Sequence, residues 1–126
     1  MDSHQRRSRF DQLRNYCLSF PGVTEDMPFD DTTLVFKVAG KIFLLTGLEG
    51  DLRINLKCDP DLAMRLREEY DGTVHPGYHM NKKHWNTIDI NGSITDDLIY
   101  RWIEHSYQLV VSSLPIKARK SLGNTH

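Results

Sequence analysis

The run from Leu34 to Lys57 constrains this chain most tightly. Two apolar stretches, LVFKV and KIFLL, meet at Ala39-Gly40, and LRINLK follows them in clean alternation. A two-residue turn between β-branched and aromatic runs predicts a β-hairpin, because turns of that length match the right-handed twist of paired strands. Such a loop sets Val38 opposite Lys41, Phe36 opposite Phe43 and Leu34 opposite Leu45, which gives one apolar face. Val35, Lys37, Ile42 and Leu44 then make a mixed face, only partly covered. In the third strand Leu52, Ile54 and Leu56 point inward, leaving Arg53, Asn55 and Lys57 on a basic outer surface.

Helices are predicted on either side of these strands. Phe10, Leu13, Cys17 and Leu18 recur at helical spacing from about Ser3 to Ser19, ringed by Arg6, Arg7, Arg9 and Arg14, and Pro21-Gly22 ends that helix. The acidic TEDMPFDD that follows lacks the spacing of a calcium loop and reads as a solvated turn. Asp59 caps a second helix with Pro60 at its first position; Leu62, Ala63, Leu66 and Tyr70 form its buried stripe, and Asp71-Gly72 closes it. Thr95 caps the last helix, with Ile94 and Ile99 as a hydrophobic staple, and Pro115 forces the exit. With NTIDI as a further strand, the expected class is α+β: an antiparallel sheet of four to five strands in the order α-β-β-β-α-(β)-β-α, with helices on its apolar face.

At 126 residues the chain has the size of one domain, 1–126 with a core of about 9–120, large enough to fold without disulfides or structural metal. Cys17 and Cys58 match no metal or redox spacing and read as core residues. No signal-like or membrane-length apolar run is visible, so a soluble, cytoplasmic monomer is expected, with no membrane partner. The formal net charge of −1 argues against nucleic-acid binding through bulk charge. Charge is unevenly distributed, however, and beyond Glu104 the tail with Lys117, Arg119 and Lys120 is purely basic.

The candidate functional stretch is VHPGYHMNKKHW, Val74 to Trp85, which has no carboxylate between Asp71 and Asp89. Pro76-Gly77 exclude a helix through His75 and His79, so this histidine pair lacks the geometry of a helical zinc site, and no metal or other cofactor is expected. No serine or carboxylate stands near these histidines, and no phosphate loop or nucleophile elbow occurs anywhere; a non-enzymatic protein is expected. The stretch does hold the parts of a nucleic-acid surface: Lys82 and Lys83 for phosphates, Tyr78, His79 and Trp85 for stacking or wedging, and Asn81 and Asn86 for hydrogen bonds, with His84 part of the same binding set. Lys37, Arg53 and Lys57 on the strands would support it. The competing reading makes Tyr78 and Trp85 plugs at the edge of the core.

The phrases FPGVTEDMPF, VFKVAGKIF, LKCDP, PGYHMNKKHW and HSYQLVVSSLP together resemble the MmcQ/YjbR family over about Arg9 to Lys120. The resemblance implies a CyaY-like (frataxin-like) α+β fold with a double-wing arrangement and a DNA-binding role, and it places Pro76 to Trp85 with His105, Ser106 and Tyr107 in the family pattern. Asp30 and Asp31 depart from that pattern, where relatives often carry glycine. A frataxin-like metal-binding role is a rival, but the first helix is basic where frataxins are acidic. A protein-interaction adaptor, taking a partner at the sheet edge or the aromatic-basic loop, is the other alternative. Ser106 is expected to bond back to the Trp102 carbonyl, with His105 and Tyr107 reaching toward the sheet or toward His79 and His84.

Overall fold

The computed structural model describes residues 1–78 and 80–123. Helix α1 (Ser3–Leu18) leads into β1 (Val23–Asp26), β2 (Thr33–Val38), β3 (Lys41–Gly47) and β4 (Arg53–Lys57). Helix α2 (Pro60–Glu69), β5 (Val74–Pro76), β6 (Trp85–Asp89), α3 (Asp96–Ser112) and α4 (Ile116–Gly123) complete the order. The strands form one sheet in the order β1-β2-β3-β4-β6-β5, with every adjacent pair antiparallel. The α+β class and the antiparallel sheet follow the sequence expectation. The count does not: the sheet has six strands rather than four or five.

The added strand is β1, which occupies part of the stretch expected to be a solvated turn. Both of its carboxylates meet cations, although Asp26 stays exposed. The Arg14 guanidinium of α1 binds both oxygens of Glu25, with Nε 2.8 Å from Oε2, and Asp26 lies 3.4 Å from the Lys37 ammonium on β2. The expected element order also lacks a helix in the basic tail, where residues 116–123 form α4, whose Leu122 packs against the core.

The β2–β3 turn is the two-residue one predicted, with positive φ at both Ala39 (50°) and Gly40 (79°). Beyond it the expected register fails. Lys37 pairs with Ile42 but Phe36 pairs with Leu44, so Phe43 is the extra residue of a β-bulge. The bulge brings Phe43 and Leu44 both into the core and turns Leu45 to the other face, opposite Val35.

Helices α1, α2 and α3 bury their apolar residues in one cluster with Leu34, Phe36, Leu44, Ile54, Leu56 and Ile88. All three therefore lie on the same side of the sheet. At nearly full burial, each of these large side chains contributes on the order of 2 kcal/mol to folding. The caps form as the sequence indicates, with the Asp59 carboxylate accepting from Leu62 N–H and the Thr95 hydroxyl from Leu98 N–H.

Two residues of α3 make contacts other than those expected. Ser106 does not bond to Trp102; its hydroxyl donates to the Phe43 carbonyl (2.6 Å) and accepts from the Lys57 N–H (2.9 Å). Those backbone groups lie one step beyond the last β3–β4 pair, Leu44 with Leu56, and Phe43 is the bulged residue of β3. Tyr107, stacked on Phe20, donates its hydroxyl to the Pro21 carbonyl at 2.6 Å and so ties α3 to the exit of α1. His105 turns to the start of α2, where its Nε2 accepts from Asp59 N–H at 3.3 Å.

Candidate functional site

With the helices on one side, the other face of the sheet presents rows fixed by strand register. Val35, Leu45, Asn55, Thr87 and His75 lie side by side across five strands; Lys57 lies opposite Trp85, and Arg53 opposite Asp89. Val35 and Leu45 are buried, so the row is apolar at the β2–β3 end and polar toward β5.

The β5–β6 connection folds over the polar end of this face. Gly77 donates its N–H to the Trp85 carbonyl at 2.9 Å, and a Cβ on Gly77 would stand 2.8 Å from the Trp85 Cβ, too close for any side chain. Past that closure the Tyr78 N–H bonds the Thr87 hydroxyl (3.0 Å), and Thr87 in turn donates to Asn55 at 2.6 Å. The Tyr78 ring lies nearly parallel to His75, at 21° and 5.8 Å between centroids, with the Arg53 guanidinium 6.0 Å from its centre. Asn81 shapes the far turn by accepting from Lys83 N–H through its side chain and from Trp85 N–H through its carbonyl.

Arg67 of α2 clamps this connection, and nothing in its sequence context marks it out. Its guanidinium donates to the Lys82 carbonyl, to the Trp85 carbonyl (3.2 Å) and to the Asn86 side chain (2.7 Å). Asn86 is itself buried and donates to the Ala63 carbonyl. It is thus a structural residue and not a ligand-facing amide.

The cations predicted for a binding surface divide into two groups. Lys37 is paired with Asp26, and Arg53 with Asp89 (2.9 Å) and Asp51 (3.8 Å), so their charge is largely met within the protein. Lys57, Lys82 and Lys83 have no carboxylate partner among the described residues. Lys82 and Lys83 are exposed, and His84 and Trp85 are partly so. His79 lies outside the described residues. Among the described residues the Lys82 ammonium reaches only the Gly77 carbonyl, at 3.5 Å, so these three cations and two aromatic rings border one end of the sheet face opposite α1, α2 and α3.

His75 bonds Asp89 at 2.9 Å, and among the described residues no three histidine, cysteine or carboxylate side chains converge as a metal site would need. Burial holds both thiols protonated, raising Cys17 to about 12 and Cys58 to about 11, which suits the core role expected of them. No helix among the described residues is long and apolar enough to cross a membrane.

The YjbR family model matches residues 18–109, which includes the whole β5–β6 connection. The chain belongs to the YjbR family. It is 35% identical over 112 residues to Uncharacterized protein YjbR of Escherichia coli (strain K12), covering 88% of this chain and 94% of that protein. It is 36% identical over 116 residues to Uncharacterized protein YbdF of Escherichia coli O157:H7, covering 91% and 94% of the two chains. Among solved structures, the Deinococcus radiodurans protein DR2400, described as a DUF419 domain, superposes with a TM-score of 0.87 at 39% identity, covering 90% of this chain and 87% of that one. The YjbR-family match thus agrees with the resemblance carried by PGYHMNKKHW and HSY.

Proposed function

We propose that this YjbR-family protein is a non-enzymatic, monomeric nucleic-acid-binding protein. It contacts phosphates through Lys57, Lys82 and Lys83 and bases or sugars through Tyr78 and Trp85. The supporting observation is that, among the described residues, these three lysines lack carboxylate partners and stand beside the aromatic residues, Lys57 opposite Trp85 on β4 and Lys82 and Lys83 in the connection that leads into β6. Lys82 and Lys83 are exposed and Lys57 partly so, and ammonium groups without a carboxylate partner favour phosphate contacts, their local concentration offsetting the near-zero net charge.

Fluorescence anisotropy of labelled DNA against salt tests the proposal. Each phosphate contact removed should lower the slope of log affinity against log salt by about 0.7 for single strands and 0.9 for duplex, so Lys82→Ala/Lys83→Ala should lose about twice that. Absence of binding at low salt would refute it.

A second reading, a protein adaptor, draws support from β1. This strand is an open edge of the sheet, and the exposed Met27 and Phe29 follow it directly. Affinity capture with and without nuclease separates the two readings, since partners retained after nuclease treatment would favour the adaptor.

A further inference from the structure

Resting on that reading, we infer that the nucleic acid is single-stranded, with an unpaired base laid on the ring of Tyr78. Tyr78 is 48% exposed, yet its position is set by several contacts: its backbone is tied to Thr87, its ring lies along His75, and the Arg53 guanidinium lies over the ring, 6.0 Å from its centre. A large aromatic ring held in the open on a sheet buries little of its own surface, but it is a pre-formed stacking platform. Duplex DNA offers only phosphates and groove edges to such a surface, because its base faces are covered by their neighbours. Only an unpaired base has a face to give.

The surroundings of the ring suit this ligand. Both oxygens of Asp89, the nearest carboxylate on β6, are held, one by Arg53 and the other by His75, which limits its repulsion of a phosphate chain. Lys57 flanks Trp85 further along the same face, and Lys82 and Lys83 come from the connection between Tyr78 and Trp85. A strand running from Tyr78 toward Trp85 therefore passes cations that have no carboxylate partner among the described residues while meeting a second ring. Asn55 and Thr87, paired across β4 and β6 where Tyr78 is anchored, are bonded to one another. Stacking is thus accompanied by little reading of base edges, and weak sequence preference follows.

The test compares one labelled sequence of about 15 nucleotides, near the upper site size of small single-strand-binding folds, as a single strand and as a blunt duplex. Wild type, Tyr78→Leu, Tyr78→Phe and Lys82→Ala/Lys83→Ala are measured at equal salt, with folding checked by circular dichroism. The single strand should bind at least about tenfold tighter than the duplex; Tyr78→Leu should cost about tenfold on the single strand alone, and Tyr78→Phe should retain affinity, in line with stacking energies of about 1–3 kcal/mol per base. Equal or tighter duplex binding, or an unaffected Tyr78→Leu, overturns the inference while leaving nucleic-acid binding standing. No binding of either form overturns both.

Discussion

The Ser106 hydroxyl donates to the Phe43 carbonyl at 2.6 Å, and in the same place it accepts the Lys57 N–H at 2.9 Å. One buried side chain from α3 thereby bridges the two strands one step beyond their last backbone pair. Ser106→Ala leaves a carbonyl and an N–H unsatisfied, so it should cost about 2–3 kcal/mol, more than the single bond back to the Trp102 carbonyl expected from sequence alone. Urea unfolding measures this, and a loss below about 0.5 kcal/mol would show that the two groups find other partners.

Arg67 serves the candidate site from behind. Arg67→Met removes donors to the Lys82 and Trp85 carbonyls and to Asn86, and should destabilise the protein by about 2 kcal/mol, the usual scale for bonds to a charged donor. It should also change Trp85 fluorescence. Arg67→Lys should restore little, because an ammonium cannot span the three acceptors as a planar fork does. Full rescue by lysine would count against the clamp.

The Arg14–Glu25 contact makes stability depend on acid. Hydrogen bonding from the Arg14 guanidinium lowers the Glu25 pKa below its ordinary value, so the unfolded chain binds this proton more readily than the folded one. The contribution is complete above the unfolded pKa of about 4.3 and is lost as pH falls through the lower folded value. Urea midpoints measured downward from neutral pH should fall less steeply in Glu25→Gln than in wild type. Parallel curves would remove Glu25 from the account.

Ala39 adopts φ +50° in the β2–β3 turn, a conformation in which its Cβ crowds the backbone. Asn tolerates that geometry and, followed by Gly40, makes a favoured hairpin turn, so Ala39→Asn should raise stability by about 0.5–1 kcal/mol. Differential scanning calorimetry would show this as a higher Tm, and an unchanged or lower Tm would contradict it.

The parts of the fold written in local pattern were legible in the sequence. The alternation of LRINLK, the Asp59 and Thr95 caps and the Ala39-Gly40 turn each rest on a few adjacent residues. The bulge could not be read, because Ile42, Phe43, Leu44 and Leu45 are all apolar and any register buries some of them. β1 was hidden because its carboxylates look solvated until Arg14 and Lys37 arrive from other elements. The site divides in the same way. Tyr78, Lys82, Lys83 and Trp85 stand together in the sequence and in space. The pairing of Arg53 with Asp89 and the reach of Arg67 across from α2 are made only by the folded chain.

The bridging hydroxyl also bears on the order of assembly. Strands β1 to β4 pair with neighbours close in sequence and can form early, since short loops close at little entropic cost. Their β3–β4 junction nevertheless waits for a residue almost fifty positions beyond β4. In pulse-labelled refolding, the Lys57 amide should gain protection together with α3 and later than the amides of the β2–β3 hairpin. This helix then arrives as the last member of the sheet's own hydrogen-bond network.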